Sequence, residues 1–156
     1  MFERPKIITA ETSLGCNMTY DTKDFYHNTQ CYTIIFDKDH EKNTMAYLAI
    51  LNSNVLWFFL TQTGNILRGG YFRFKTKYLE TFPLPEITDE TAKKLSSLTE
   101  QLLTTYMQLE NTKSDSDKKF LVQRIKISES KINNEVYNLY NLNKDEISII
   151  EESCKF

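Results

Sequence analysis

The sequence predicts an α+β protein: a small, mainly antiparallel β unit with short helices packed on it, then a C-terminal helical hairpin and a short terminal helix. Three observations lead there. The first forty residues hold short β-rich runs separated by polar connections. Residues 46–60 form an apolar run of helical length broken by a polar step, Asn52, Ser53 and Asn54. After Thr88, two stretches carry leucine and isoleucine at three-, four- and seven-residue spacings. The chain divides on this pattern into residues 1–87, an α+β unit, and residues 88–156, a helical region packing on it or on a partner.

In order, residues 6–10, 16–20 and 31–36 are the strand candidates, rich in β-branched and aromatic side chains. Ala46, Leu48, Ala49 and Leu51, then Val55, Leu56, Phe58, Phe59 and Leu60, predict two short helices meeting at the polar step, because Asn and Ser suit helix starts better than interiors. Trp57 and the Phe pair put bulk on more than one face of the second helix, which predicts burial on several sides. A membrane span needs about 20 mostly apolar residues without such a break.

Gly69 and Gly70 follow, opening backbone angles closed to other residues. The alternation from Tyr71 to Lys75 predicts a short extended segment with Phe72 and Phe74 on one side and Arg73 and Lys75 on the other. Pro83 and Pro85 stop regular structure, and Thr88 before Asp89 and Glu90 is an N-cap with an acidic first turn. Leu95, Leu98, Leu102, Leu103, Tyr106 and Leu109 mark one helix face. Residues 111–118 read as a turn, and Leu121, Ile125, Ile132, Val136 and Leu139 mark the returning helix. Asn143 and Glu146 frame a capping box for a last helix through Ile147 and Ile150.

With 156 residues, 13% aromatic content, four glycines and three prolines, the chain can bury a core without staples. Its net charge of −2 gives no global attraction to a polyanion, so any such face is local. Cys16, Cys31 and Cys154 are odd in number and widely spaced, which fits a reducing, cytoplasmic setting. Cys16, His27 and Cys31 match no common zinc spacing, and no metal is expected. No Ser-His-Asp or Cys-His arrangement stands out, so no catalytic residue is assigned.

The densest local positive charge is Arg68, Arg73, Lys75 and Lys77, interleaved with Tyr71, Phe72, Phe74 and Tyr78. Cations beside rings suit a phosphate backbone, the charges neutralising phosphates while the rings pack. The connections of the first forty residues supply Asn17, Tyr20, Lys23, Asn28 and Gln30, whose amides and cation match base edges if they face a groove. Asn residues are equally favoured in plain turns.

The order LAILNS, WFFL and LRGGYFRFKTKYLETFPLPEI resembles the C-terminal specificity domain of TaqI-like DNA methyltransferases and related fused restriction-modification enzymes. The tail EVYNLYNLNKDEISIIEE is similar to a second element frequent in that family. The resemblance implies a target-recognition module for double-stranded DNA, lacking its own cofactor and joined to an N-terminal methyltransferase or nuclease domain. That domain would use S-adenosylmethionine, methylate adenine, and possess a magnesium site if it also cuts. The chain has no Asn-Pro-Pro-Tyr or Asp-Pro-Pro-Tyr word and no Pro-Asp…Glu-x-Lys pattern, so it reads as a piece of a larger enzyme. The alternative is a protein-interaction module that forms a homodimer through the C-terminal helices. That reading leaves the basic-aromatic segment without a role.

Overall fold

The computed structural model describes residues 3–154, so Met1, Phe2, Lys155 and Phe156, which the two segments include at their ends, lie outside the described residues. The fold is α+β. Strands β1 (Lys6–Ala10), β3 (Thr19–Asp21) and β4 (Cys31–Ile34) form an antiparallel sheet in the order β3-β1-β4. A second two-stranded ribbon pairs β2 (Thr12–Ser13) with β5 (Phe72–Arg73), placing Thr12 opposite Arg73 and Ser13 opposite Phe72. Glu11 alone separates β1 from β2, so one residue couples sheet to ribbon.

Two of the predicted strand runs are shorter in the structure, and β2 has no counterpart among them. The run at residues 16–20 becomes strand only from Thr19, because the Asn52 side chain captures the backbone of Met18. Met18 N–H donates to Asn52 Oδ1 (2.8 Å), and Asn52 Nδ2 donates to the Met18 carbonyl (2.9 Å). Those are the groups a strand ladder would have used. The run at residues 31–36 ends at Ile34, and Phe36 instead stacks on Tyr47 with ring centroids 4.8 Å apart.

The polar step divides α1 (Thr44–Leu51) from α2 (Asn54–Thr63), as the sequence predicts. The expected side-chain N-cap does not form at Ser53, whose hydroxyl donates back to the Ile50 carbonyl at 2.7 Å. The first amide of α2, Asn54 N–H, donates instead to Asn133 Oδ1 at 2.8 Å, and Asn54 Nδ2 donates to the Tyr137 hydroxyl at 3.1 Å. A cap supplied from far along the chain ties the step to the second long helix. Val55, Leu56, Trp57 and Leu60 are buried, and Phe58 and Phe59 are half-buried, so α2 is covered on several sides.

A single turn, α3 (Thr76–Leu79), precedes the proline exit. Helix α4 (Asp89–Asn111) starts on Thr88, whose side chain accepts from Thr91 N–H at 3.2 Å. The predicted turn at residues 111–118 shrinks to residues 112–114, because Ser114 caps α5 (Asp115–Leu139) by accepting from Asp117 N–H. Lys94 pairs with Glu135 at 2.6 Å and the Tyr106 hydroxyl donates to Glu129 at 2.7 Å, a register that makes α4 and α5 antiparallel. The Asn143–Glu146 capping box forms with both reciprocal bonds and starts α6 (Lys144–Ser153).

Ala92, Leu95, Ile132, Val136, Tyr137 and Ile150 from the helical region join Ile7, Leu48, Ile50, Leu56, Phe72 and Phe74 in one core. Among the described residues no single helix is long and apolar enough to cross a membrane. The segment Glu41–Leu51, a 3-10 turn (Glu41–Asn43) running into α1, reaches that length and apolarity only together with α2, as a pair bent by 67°. Most of the pair is buried in the core.

Candidate nucleic-acid interface

The basic-aromatic segment forms a hairpin braced from beneath. Leu67 N–H donates to the Tyr71 carbonyl (2.6 Å) and Gly70 N–H to the Leu67 carbonyl (3.2 Å), closing a tight turn with Arg68 and Gly69 in its middle. Gly69 has φ +85° at the third turn position, where only glycine is unstrained. Phe72 and Phe74 are fully buried beside Trp57, with edge-on ring pairs at 6.1 Å (Trp57–Phe72) and 5.4 Å (Phe72–Phe74). Gly64 lets this ring cluster close, since a Cβ there would meet Phe72 Cζ at 2.2 Å. The alternation predicted from sequence therefore holds: rings inward, Arg73 and Lys75 outward.

The four cations are not equivalent. Arg68 and Lys75 are exposed and make no polar side-chain contact among the described residues. Lys77 Nζ sits 4.6 Å from the centroid of the Tyr78 ring. Arg73 Nε pairs with Glu11 Oε1 at 3.4 Å, side chains 47% and 29% exposed. Glu11 is fixed at both backbone groups: its N–H donates to the Gln30 carbonyl (2.7 Å), and its carbonyl accepts from Phe74 N–H (2.8 Å). Residue 11 is thus the junction of the sheet, the basic ribbon and the end of the connection at residues 22–30.

The structure separates the base-reading candidates. Gln30 and Lys23 are exposed without side-chain partners among the described residues, and Gln30 is tied to the ribbon through Glu11. Asn28 Oδ1 accepts from Gln30 N–H (3.0 Å), and Asn17 Nδ2 donates to Ser13 Oγ (2.7 Å) and the Leu14 carbonyl (3.0 Å). A bidentate amide–adenine pair needs both ends of the amide, so each asparagine would have to surrender a bond. Tyr20 lies half-buried in β3 against the core. The connection also exposes Phe25 and Tyr26 (59% and 71%), a pair of rings whose exposure composition does not reveal.

Three residues that organise this face escape sequence reading. Glu11 is one. Asp21 is the second: it receives Lys6 Nζ at 2.6 Å in a pair with both side chains almost wholly buried, and accepts from Lys23 N–H (2.8 Å) and Phe25 N–H (2.9 Å). The bond from Lys6, with the two backbone N–H groups, holds its carboxyl below the usual carboxylate range. Lys6 heads β1 and Asp21 is the third and last residue of β3, and only the register Lys6↔Asp21 brings them together. Asn133 is the third, and nothing in its own neighbourhood marks it.

His27 bonds to the Thr33 hydroxyl and the Asn28 carbonyl, bracing the same connection, while Cys31 lies on β4. Cys16 and Cys154 line a cavity of about 660 Å³ between the residues 15–19 segment and the helices. Burial pushes the Cys16 thiol well up, the opposite of what a nucleophile needs.

Fold and site together give a buried aromatic scaffold holding outward a basic ribbon and an amide- and aromatic-bearing loop. The family model of the TaqI-like C-terminal specificity domain matches residues 1–84, more than half of the chain, and the chain belongs to that family. It is a specificity domain of restriction-modification systems, and that domain is not the catalytic part. The match takes in the sheet, α1, α2, the ribbon and α3, and ends at Leu84, between the two prolines of the exit. No curated protein sequence matches the chain.

Proposed function

We propose that this chain recognises a specific double-stranded DNA sequence for a restriction-modification enzyme, presenting the duplex to a methyltransferase or nuclease domain of the parent protein. The observation that carries this reading is the shared ribbon. Family membership supplies the specificity role, and the ribbon brings uncommitted cations beside a loop of base-reading side chains. Arg68, Lys75 and Lys77 hold phosphates and set the register, while Lys23, Gln30 and the loop around them read base edges in the major groove. Asn17, Asn28 and Tyr20 shape that loop or join it after giving up internal bonds. The catalytic partner would draw on S-adenosylmethionine to methylate a flipped adenine, with magnesium if it also cleaves. A cytoplasmic setting follows from that role.

Replacing Arg68 or Lys75 with Ala tests the phosphate role. Each should weaken binding to specific and random duplexes alike and lower the slope of log K against log salt by about 0.9. An unchanged slope in both variants removes the ribbon from the DNA face. Exchanging residues 22–30 for the loop of a relative tests readout: the preferred site should change, and an unaltered site excludes that loop.

A further inference from the structure

We propose that Arg73, held by Glu11, reads a guanine, so that this pair fixes one G·C position in the recognised site. This rests on the DNA-recognition reading and deepens it. Among the cations of the ribbon, Arg73 is the one that faces a carboxylate across its Nε edge. That pairing unsuits it for phosphate. The Glu11 carboxylate cancels much of its charge and repels any phosphate oxygen brought alongside. Arg68 and Lys75 nearby carry no such burden.

Guanine makes the opposite demand. Its O6 and N7 are neutral acceptors side by side in the major groove, matched by the two terminal nitrogens of a guanidinium. Glu11 Oε1 lies 3.4 Å from Nε, an ion pair rather than a hydrogen bond, and the terminal nitrogens have no partner among the described residues, so they remain to be offered. The carboxylate also orients the fork, reducing the rotamer freedom lost on binding. Glu11 is not free to drift away, because its N–H is bonded to Gln30 and its carbonyl to Phe74 N–H. Arg73 in turn projects outward between two fully buried phenylalanines. The main chain beneath both residues is therefore fixed, and the Gln30 carbonyl is bonded at the same junction.

The test selects binding sites from a pool of random duplexes with the unaltered chain, Arg73→Lys, Glu11→Gln and Lys75→Ala. Arg73→Lys keeps the charge but lacks a fork able to pair with Glu11 and span O6 and N7 together. It should leave the salt slope unchanged while guanine preference at one position of the selected site falls on the order of ten- to hundredfold. Glu11→Gln should weaken the same position and tighten binding to random duplex, since a negative charge is removed from the face. Lys75→Ala should lower the salt slope and leave the selected sequence intact. Glu11, Arg73 and Lys75 are all at least partly exposed, so thermal melting of the variants should match the unaltered chain, separating lost readout from lost fold.

Retention of the full sequence preference in Arg73→Lys overturns the assignment and leaves Arg73 a surface ion-pair partner. Failure of the unaltered chain to enrich any duplex overturns the DNA-recognition reading itself, and the role of the pair with it.

Discussion

The step at residues 52–54 and the surface around residues 11–30 each set asparagine in a polar stretch beside apolar or aromatic residues, but the polar side chains are spent at the step and partly left over on the surface. At the step, every amide is consumed internally: Asn52 by the Met18 backbone, Asn54 by Tyr137, and the backbone of α2 by Asn133. On the surface, Asn17 and Asn28 are also spent on their own turns, while Lys23, Gln30, Arg68 and Lys75 are left over. The lesson is that an asparagine in a polar break is by default bonded within its own fold, and that the uncommitted polar groups sit on the longer side chains around it.

The largest expected effect lies on the scaffold beneath the surface. Phe72→Ala removes a fully buried ring contacting Trp57, Phe74 and Tyr78, and should cost about 3–5 kcal/mol in a urea unfolding measurement. A loss below about 1 kcal/mol would mean the ribbon is not anchored by that cluster. Gly64→Ala comes next. Its new methyl meets the Phe72 ring, and the overpacking should cost about 1–3 kcal/mol.

Asn133→Ala strips the α2 N-terminus of its long-range cap and should cost about 1–2 kcal/mol, with Asn133→Asp restoring an acceptor and most of the loss. Equal melting of Asn133→Ala and the unaltered chain would show that solvent replaces the cap. The same truncation at Asn28, which is exposed, should change stability by less than about 0.5 kcal/mol, and that gap sharpens the contrast between a half-buried and a surface amide.

Protonation probes the pair that orders the loop. The Asp21 carboxyl is held below its ordinary value of 3.8, so the stability it contributes is present above that pH and is lost as pH falls from there through the folded-state value. Melting temperature should drop with acid below that point, less steeply in Asp21→Asn. An identical acid profile in that variant would place the acid sensitivity elsewhere.

The smallest effect belongs to His40, raised above its ordinary 6.5 by the hydrogen bond and charge of Asp37 2.6 Å away. Its contribution is present below pH 6.5 and disappears as pH rises through the folded value. The pair is exposed, so the change in melting should be slight and should vanish in high salt.

Much of the architecture was legible because it depends on local pattern. The break between α1 and α2, the Thr88 cap, the Asn143–Glu146 box, the returning helix stripe and the inward–outward alternation at Phe72–Lys75 all follow from residue type at fixed spacing. Strand ends were less legible. Whether residues 16–18 pair as strand depends on a side chain from residue 52, and the shortness of the 112–114 turn depends on one serine cap. At the site, Arg68 and Lys75 stand out from charge and neighbours alone, but the inequality of the four cations does not.

By itself the sequence determined the α+β class, the family to which residues 1–84 belong and the segment that carries exposed positive charge. These rest on periodicity, capping and ordered motifs, which act within a few turns of chain. Only the tertiary structure decided that Lys6 is buried against Asp21, that Asn133 caps a helix that begins at Asn54, and that Glu11 meets Arg73 across the ribbon. Each of those contacts joins residues distant in sequence through strand register or helix packing, and it is the summed packing of the whole core, not any local preference, that sets which distant side chains come within bonding reach.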